Sequence, residues 1–140
     1  MSQSHLYQTR VEFRDTDAAG IVHFSVYFNY MEEAEHALVR AAGLEVFMED
    51  EDGEFSWPRV AARCEYSAPY RFGDEVEVAT TITKLSERSV TYHHEFRLEG
   101  KPVASGEITT VCCALGEGGT IRSRAMPSEV SERLAPFVVA

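Results

Sequence analysis

An acidic loop near the start of the chain has the residue types needed to attack a carbonyl carbon. It runs through Asp15, Thr16 and Asp17 to Gly20, between a short strand pattern and the start of a long helix pattern. Peptide N–H groups at a helix N-terminus lack intrahelical acceptors and carry the positive end of the helix dipole, so they can bind an oxygen that becomes negative during a reaction. Asp17 and these N–H groups are the candidate active site.

The sequence leaves two chemical roles open for Asp17, nucleophile and general base. Both roles need an ionised carboxylate, and a helix N-terminus close by favours ionisation. Without further support, an Asp in such a loop is more often a turn or helix-capping residue. The neighbouring Asp15 keeps that structural interpretation.

Residue periodicity predicts the elements that would position this loop. Alternating apolar and polar residues predict a first strand over 7–13, and helical spacing predicts a long helix over 24–42 with Gly43 as its C-terminal cap. Four more strands are predicted. The first three lie over 59–68, 75–82 and 90–98, and the fourth runs from the turn at 99–102 to Leu115. A brief helix is predicted over 128–134, with Pro127 at its start.

Short turns between consecutive strands imply antiparallel pairing. The order of elements predicts an α+β fold in which a five-stranded antiparallel sheet wraps around one long helix, as one domain over 1–140. Such a sheet leaves edges and part of a face uncovered, so we expect a homodimer or a homotetramer.

Composition and charge limit which partners and which cellular compartment we expect for the protein. A formal net charge of -10 argues against nucleic acid, whose phosphates require a basic surface. No apolar run approaches the roughly 18 residues of a membrane span, and the first six residues do not resemble a signal peptide. With only three cysteines, we expect a cytoplasmic protein without a membrane partner. Six acidic residues within 45–54 predict a solvated loop.

Two adjacent pairs, His93-His94 and Cys112-Cys113, have the residue types of metal ligands. Neighbours on a strand point to opposite faces, and no paired Cys/His spacing accompanies them. We therefore expect no metal and no other cofactor.

The loop and the helix start also carry a specific signature. Its nine restricted positions are occupied without a gap by Arg10, Val11, Thr16, Asp17, Gly20, Ile21, Val22, Phe24 and Tyr27, and weaker matches follow at Tyr66, Pro69, Phe72-Gly73-Asp74 and Pro127. This pattern resembles the hotdog-fold acyl-CoA thioesterases, specifically the 4-hydroxybenzoyl-CoA thioesterase family.

The resemblance implies hydrolysis of an acyl-CoA thioester to a free carboxylic acid and CoA. In that family the Asp at the position of Asp17 attacks the thioester carbon or activates water, and the backbone N–H at the position of Phe24 holds the carbonyl oxygen. We place Gly20, His23 and Tyr27 at the substrate. An acyl-carrier-protein thioesterase and a non-catalytic acyl-CoA-binding module remain as alternatives.

Coenzyme A is anionic, whereas the chain is acidic overall, so the phosphates would have to be bound by a local group of cations. The candidates are Arg88, Arg122 and Arg124, with Lys84 behind them.

Overall fold

The computed structural model describes residues 3–139, which form two antiparallel sheets and two α-helices. The strands are β1 (His5–Arg10), β2 (Met48–Asp50), β3 (Gly53–Ser56), β4 (Arg59–Tyr66), β5 (Glu75–Leu85), β6 (Ser89–Leu98), β7 (Lys101–Val111), β8 (Cys113–Leu115) and β9 (Ile121–Ser123). The helices are α1 (Val26–Ala41) and α2 (Ser128–Leu134), and short 3-10 turns lie at Phe13–Asp15, Glu117–Gly119 and Ala135–Phe137.

The main sheet has the strand order β1-β5-β6-β7-β4, with all neighbours antiparallel. Side chains that alternate along β5 are buried beneath α1, including Val76 and Val78. Glu99 and Gly100 join β6 to β7 with φ values of 50° and 82°, the left-handed conformation that tight two-residue hairpins require. The predicted hairpin at this point is confirmed.

Helix α1 packs on this sheet through a continuous buried face. Gly43 follows the helix with φ 82°, and the N–H groups of Gly43 and Leu44 donate to the carbonyl oxygens of Arg40 and Val39. This is a Schellman cap, so the predicted role of Gly43 is confirmed. On the sheet side, a Cβ added at Gly106 would press on Met31 Sδ, so the glycine allows helix and sheet to approach closely.

The prediction of a single five-stranded sheet around one helix is incomplete. A second sheet is present, with the strand order β2-β3-β8-β9. The acidic stretch predicted as a loop forms the β2–β3 hairpin. The segment predicted as one strand up to Leu115 is interrupted at Cys112, whose N–H donates to the Arg88 carbonyl at 2.7 Å. The Cys112 carbonyl accepts the Arg124 N–H at 2.9 Å, so the backbone leaves the main sheet and enters the second one.

The first strand is shorter than predicted. It ends at Arg10, and Phe13 lies in a 3-10 turn with 75% of its surface exposed. The change of conformation is stabilised by Asp15, whose Oδ2 accepts the Glu12 N–H at 2.9 Å and the Tyr30 hydroxyl at 3.2 Å. Asp15 therefore has the structural role that the sequence indicated.

One charged side chain, Glu35, lies on the buried face of α1 and is only 3% exposed. Its Oε2 accepts a hydrogen bond from Arg59 Nη2 at 2.9 Å, whereas Oε1 has no hydrogen-bond partner among the described residues. Burial raises the pKa of Glu35 from 4.5 to about 7, and the attraction of Arg59 offsets this only in part.

This carboxyl group makes folding stability depend on pH. At this carboxyl group the folded protein binds more protons than the unfolded chain between pH 4.5 and about 7, so the contribution of Glu35 to the free energy of unfolding should fall as the pH rises through that interval. The contribution is on the order of 3 kcal/mol. Chemical denaturation across this range should show that the free energy of unfolding of the wild type falls relative to that of Glu35→Gln as the pH rises. The exposed Glu132→Gln should keep the wild-type slope, and an unchanged slope in Glu35→Gln would contradict the assignment.

Candidate active site

The loop that carries Asp17 is closed by its own backbone. The Asp17 N–H donates to the Ile21 carbonyl at 2.8 Å, and the Gly20 N–H donates to the Asp17 carbonyl at 3.0 Å. Gly20 has φ 81°, a conformation that side chains disfavour, which explains a glycine at this turn. A further bond from the Val22 N–H to the Tyr70 carbonyl, 2.9 Å long, attaches the loop to the segment before β5.

The side chain of Asp17 is half-buried and partly engaged. Oδ1 accepts the Ala19 N–H at 2.9 Å, which fixes the carboxylate relative to its loop. Oδ2 accepts no hydrogen bond from any residue within 3–139. One carboxylate oxygen is therefore held in place while the other is free to meet a ligand.

The peptide groups at the start of α1 differ in whether they have acceptors. The Val26 N–H donates to the His23 carbonyl at 2.9 Å, and the Phe28 N–H donates to the Ser25 carbonyl at 3.2 Å. The Phe24 N–H, in contrast, has no acceptor in the described part of the chain. It is an unpaired donor at the positive end of the helix, as expected for a group that stabilises an oxyanion.

A cavity of about 330 Å³ brings the carboxylate and the helix start together. Three of the five residues predicted from the sequence, Asp17, Phe24 and Tyr27, line it. The lining is completed by residues that are mostly apolar, namely Ile21, Val22, Tyr66, Ala68 and Pro69. A site of this kind is an apolar pocket with a few polar groups that orient the ligand.

Gly20 and His23 are not among the residues that line this cavity. The His23 Nδ1 lies 2.7 Å from Ser25 Oγ, and the imidazole stacks on the Phe24 ring with 4.6 Å between centroids. His23 thus supports the helix start, and contact of either residue with substrate stays a prediction.

Tyr66 is the main member of the site that the sequence did not predict as a site residue. It is the last residue of β4, and its ring lies edge-on to Tyr27 at 4.8 Å between centroids. Tyr66 and Pro69 appeared in the sequence only as weaker matches to the signature, far along the chain from Asp17. Their sequence separation from the loop concealed their place in the site.

The other candidates from the sequence lie away from this cavity. His94 is buried with Nδ1 2.8 Å from Thr80 Oγ1, and His93 Nε2 lies 3.1 Å from Glu95 Oε1. No group of three or more His, Cys, Asp or Glu side chains in residues 3–139 could hold a metal ion.

Arg124 is a poor candidate for binding phosphate because it is already paired. Its guanidinium forms two hydrogen bonds with Asp50, at 2.9 and 2.6 Å, and lies 4.8 Å from the Phe55 ring centroid. Arg124 is therefore disfavoured among the four candidates, because this bidentate pair already engages its guanidinium group. A separate polar groove of about 350 Å³ beside Asp15 does not include Asp17. No helix within 3–139 has the length and apolar character needed to cross a membrane.

A long helix packed on an antiparallel sheet, with a carboxylate loop at the helix start, defines a hotdog-fold protein. The model of the thioesterase-like superfamily matches residues 11–134, and the chain belongs to that superfamily. This confirms the family that the nine-position signature indicated.

Relatives and solved structures agree with this assignment. A 1,4-dihydroxy-2-naphthoyl-CoA hydrolase of Synechococcus sp. is 31% identical over 137 residues, which cover 93% of this chain and 88% of that protein. A gentisyl-coenzyme A thioesterase structure superposes with a TM-score of 0.81 and 32% identity over 93% of this chain and 99% of that one. The structure of a 1,4-dihydroxy-2-naphthoyl-CoA thioesterase from Synechocystis superposes with a TM-score of 0.81 and 25% identity, over 94% of this chain and 96% of that one.

Proposed function

We propose that this protein hydrolyses an acyl-CoA thioester to a free carboxylic acid and CoA. The observation that carries the proposal is that the Asp17 carboxylate and Phe24, which has an unpaired N–H, line the same cavity. Relatives whose names describe CoA thioester hydrolysis cover nearly the whole chain, which supports the same reaction. The chemistry requires no metal or redox group from the protein.

The proposed reaction places the thioester carbonyl between these two groups. Asp17 either attacks the carbonyl carbon directly or removes a proton from an attacking water. The carbonyl oxygen gains negative charge, which the Phe24 N–H stabilises by donating a hydrogen bond. The C–S bond then breaks and the thiolate leaves as CoA. If Asp17 attacks, the resulting mixed anhydride is hydrolysed by a water in a second step.

The substrate class that the cavity suits is an aromatic acyl-CoA. Three aromatic rings, those of Phe24, Tyr27 and Tyr66, form part of its wall, and aromatic rings stack favourably on one another. The relatives named above act on dihydroxynaphthoyl-CoA and gentisyl-CoA according to their names, and both acyl groups are hydroxylated aromatic rings. We therefore expect aromatic acyl-CoAs to be turned over faster than linear ones.

Asp17→Asn should keep the fold and the affinity for an aromatic acyl-CoA while reducing kcat at least about 100-fold, because the change removes the charge and hardly alters the shape. Free-thiol release would be followed with benzoyl-CoA and gentisyl-CoA, alongside a linear acyl-CoA and an acyl carrier protein thioester. Asp52→Asn, which removes an exposed charge in the turn between β2 and β3, is the matched control. Unchanged turnover in Asp17→Asn would refute the role of this carboxylate, and a wild type that binds acyl-CoA without releasing thiol would support the binding-module alternative.

A second test concerns the Phe24 N–H. Phe24→Pro removes this donor, and we expect kcat to fall about 10² to 10³-fold, the usual loss when one oxyanion donor is deleted. Phe24→Ala deletes the ring but keeps the N–H, so it should retain far more of kcat than Phe24→Pro. Melting temperatures would show that both variants are folded. Equal losses of kcat in the two variants would mean that the ring, and not the peptide group, is what matters.

We further propose that the protein forms a homodimer through β4. This strand is an edge of the main sheet, seven of its eight residues are exposed, and Val60 is 62% exposed. An uncovered edge with unpaired backbone groups is suited to pairing with a second copy. Because β4 ends at Tyr66, such pairing would bring the second copy close to the cavity.

Sedimentation velocity should therefore give twice the mass of the chain, or four times if dimers associate further. Val60→Asp, which adds a charge to each of two paired strands, should shift the protein toward monomer. Ile121→Asp, at a position on β9 that is also 60% exposed, should leave the mass unchanged. A monomeric wild type, or no difference between the two variants, would argue against this interface.

A further inference from the structure

The hydroxyl group of Tyr66 makes a specific contact with the start of α1. It donates a hydrogen bond to the Phe24 carbonyl oxygen at 2.9 Å and so joins two segments 42 residues apart. The side chain is 44% exposed and lines the same cavity as Asp17. This contact therefore lies beside the proposed oxyanion donor.

The hydrogen bond replaces one that a regular helix would supply. In an α-helix the Phe24 carbonyl would accept the Phe28 N–H, but that N–H donates instead to the Ser25 carbonyl. Tyr66 satisfies the carbonyl from outside the helix. The peptide on the other side of Phe24 is held separately, because the His23 carbonyl accepts the Val26 N–H at 2.9 Å.

Both peptide planes that flank the Phe24 Cα are thus restrained, one by the local turn and one by Tyr66. The direction of the Phe24 N–H depends on these two planes, since they set the backbone torsions of the residue. An oxyanion donor stabilises a transition state best when its direction is set before the reaction begins. Loss of the Tyr66 hydroxyl would leave the second plane held only by the Ser25 N–H, which donates to His23 Nδ1 at 3.3 Å.

Tyr66 can act as a donor at neutral pH. Burial raises the pKa of its phenol to about 12, so the hydroxyl keeps its proton there. The ring is oriented by its edge-on contact with Tyr27, which is itself buried.

We infer that Tyr66 is a positioning residue for thioester hydrolysis, which holds the Phe24–Ser25 peptide, and with it the backbone torsions of Phe24, so that the Phe24 N–H faces the substrate carbonyl oxygen. The inference rests on the proposed function and extends it to a residue on a different element of the fold. Because Tyr66 acts through the peptide and on the developing charge, it contributes to kcat more than to substrate affinity.

The direct test is Tyr66→Phe, which keeps the ring and removes the hydroxyl. We expect kcat to fall about tenfold, the effect of losing one hydrogen bond near the transition state, with KM within about twofold of the wild-type value. Tyr7→Phe is the control, since the Tyr7 hydroxyl also joins two elements of the fold, by donating to Glu33 Oε1 at 2.7 Å, and Tyr7 does not line the cavity. An unchanged kcat in Tyr66→Phe, or an equal fall in Tyr7→Phe, would overturn the inference.

A double variant separates positioning from a general effect on the pocket. In Phe24→Pro there is no N–H to orient, so adding Tyr66→Phe should cause little further loss of kcat. A full tenfold loss in that background would show that Tyr66 acts independently of the Phe24 peptide, contrary to the inference.

A measurement without turnover completes the test. Hydrogen–deuterium exchange of the peptide that covers 21–28 should be faster in Tyr66→Phe than in wild type, and unaltered in Tyr7→Phe. Equal protection in all three proteins would count against a positioning role. If the wild type released no thiol at all, the proposed function would fail, whereas normal wild-type activity with an unaffected Tyr66→Phe would defeat this inference alone.

Discussion

The site depends on an unsatisfied peptide group. At the start of α1 the N–H groups of Val26 and Phe28 are bonded within the turn, while the Phe24 N–H is left without an acceptor among the described residues. A free donor of this kind is costly unless it meets solvent or a ligand, and here Phe24 borders a cavity that also contains a carboxylate. The closed loop around Asp17 and the packing of α1 on the sheet hold the two groups in fixed relation.

Much of this site could be predicted because its parts are close together in sequence. Asp17 and Phe24 are seven residues apart, so a contiguous signature and the change from strand to helix periodicity locate both. The contribution of Tyr66 could not be predicted in this way. It depends on β4 pairing with β7 at the edge of the sheet, which places the end of β4 at the start of α1.

The second sheet was missed for a different physical reason. Its strands have only three or four residues, too few for alternation to be recognised, and six acids in the β2–β3 region resemble a solvated loop. What stabilises the hairpin is a contact between distant residues, the bidentate pair of Arg124 and Asp50. The break at Cys112 also has no signal in the local sequence, because the pattern of residues 101–115 predicts one continuous strand.

The strands divide at Cys112 into two sheets, and the residues of the two sheets are constrained differently. Helix α1 packs closely on the main sheet, for example where Met31 lies against Gly106. Substitutions in the main sheet would therefore shift the helix, and with it the loop that carries Asp17. The smaller sheet packs on α2 and the far end of α1, and none of its residues lines the cavity. The exposed turn at 51–52, which joins β2 to β3, is accordingly a place where added residues would leave the lining of the cavity unchanged.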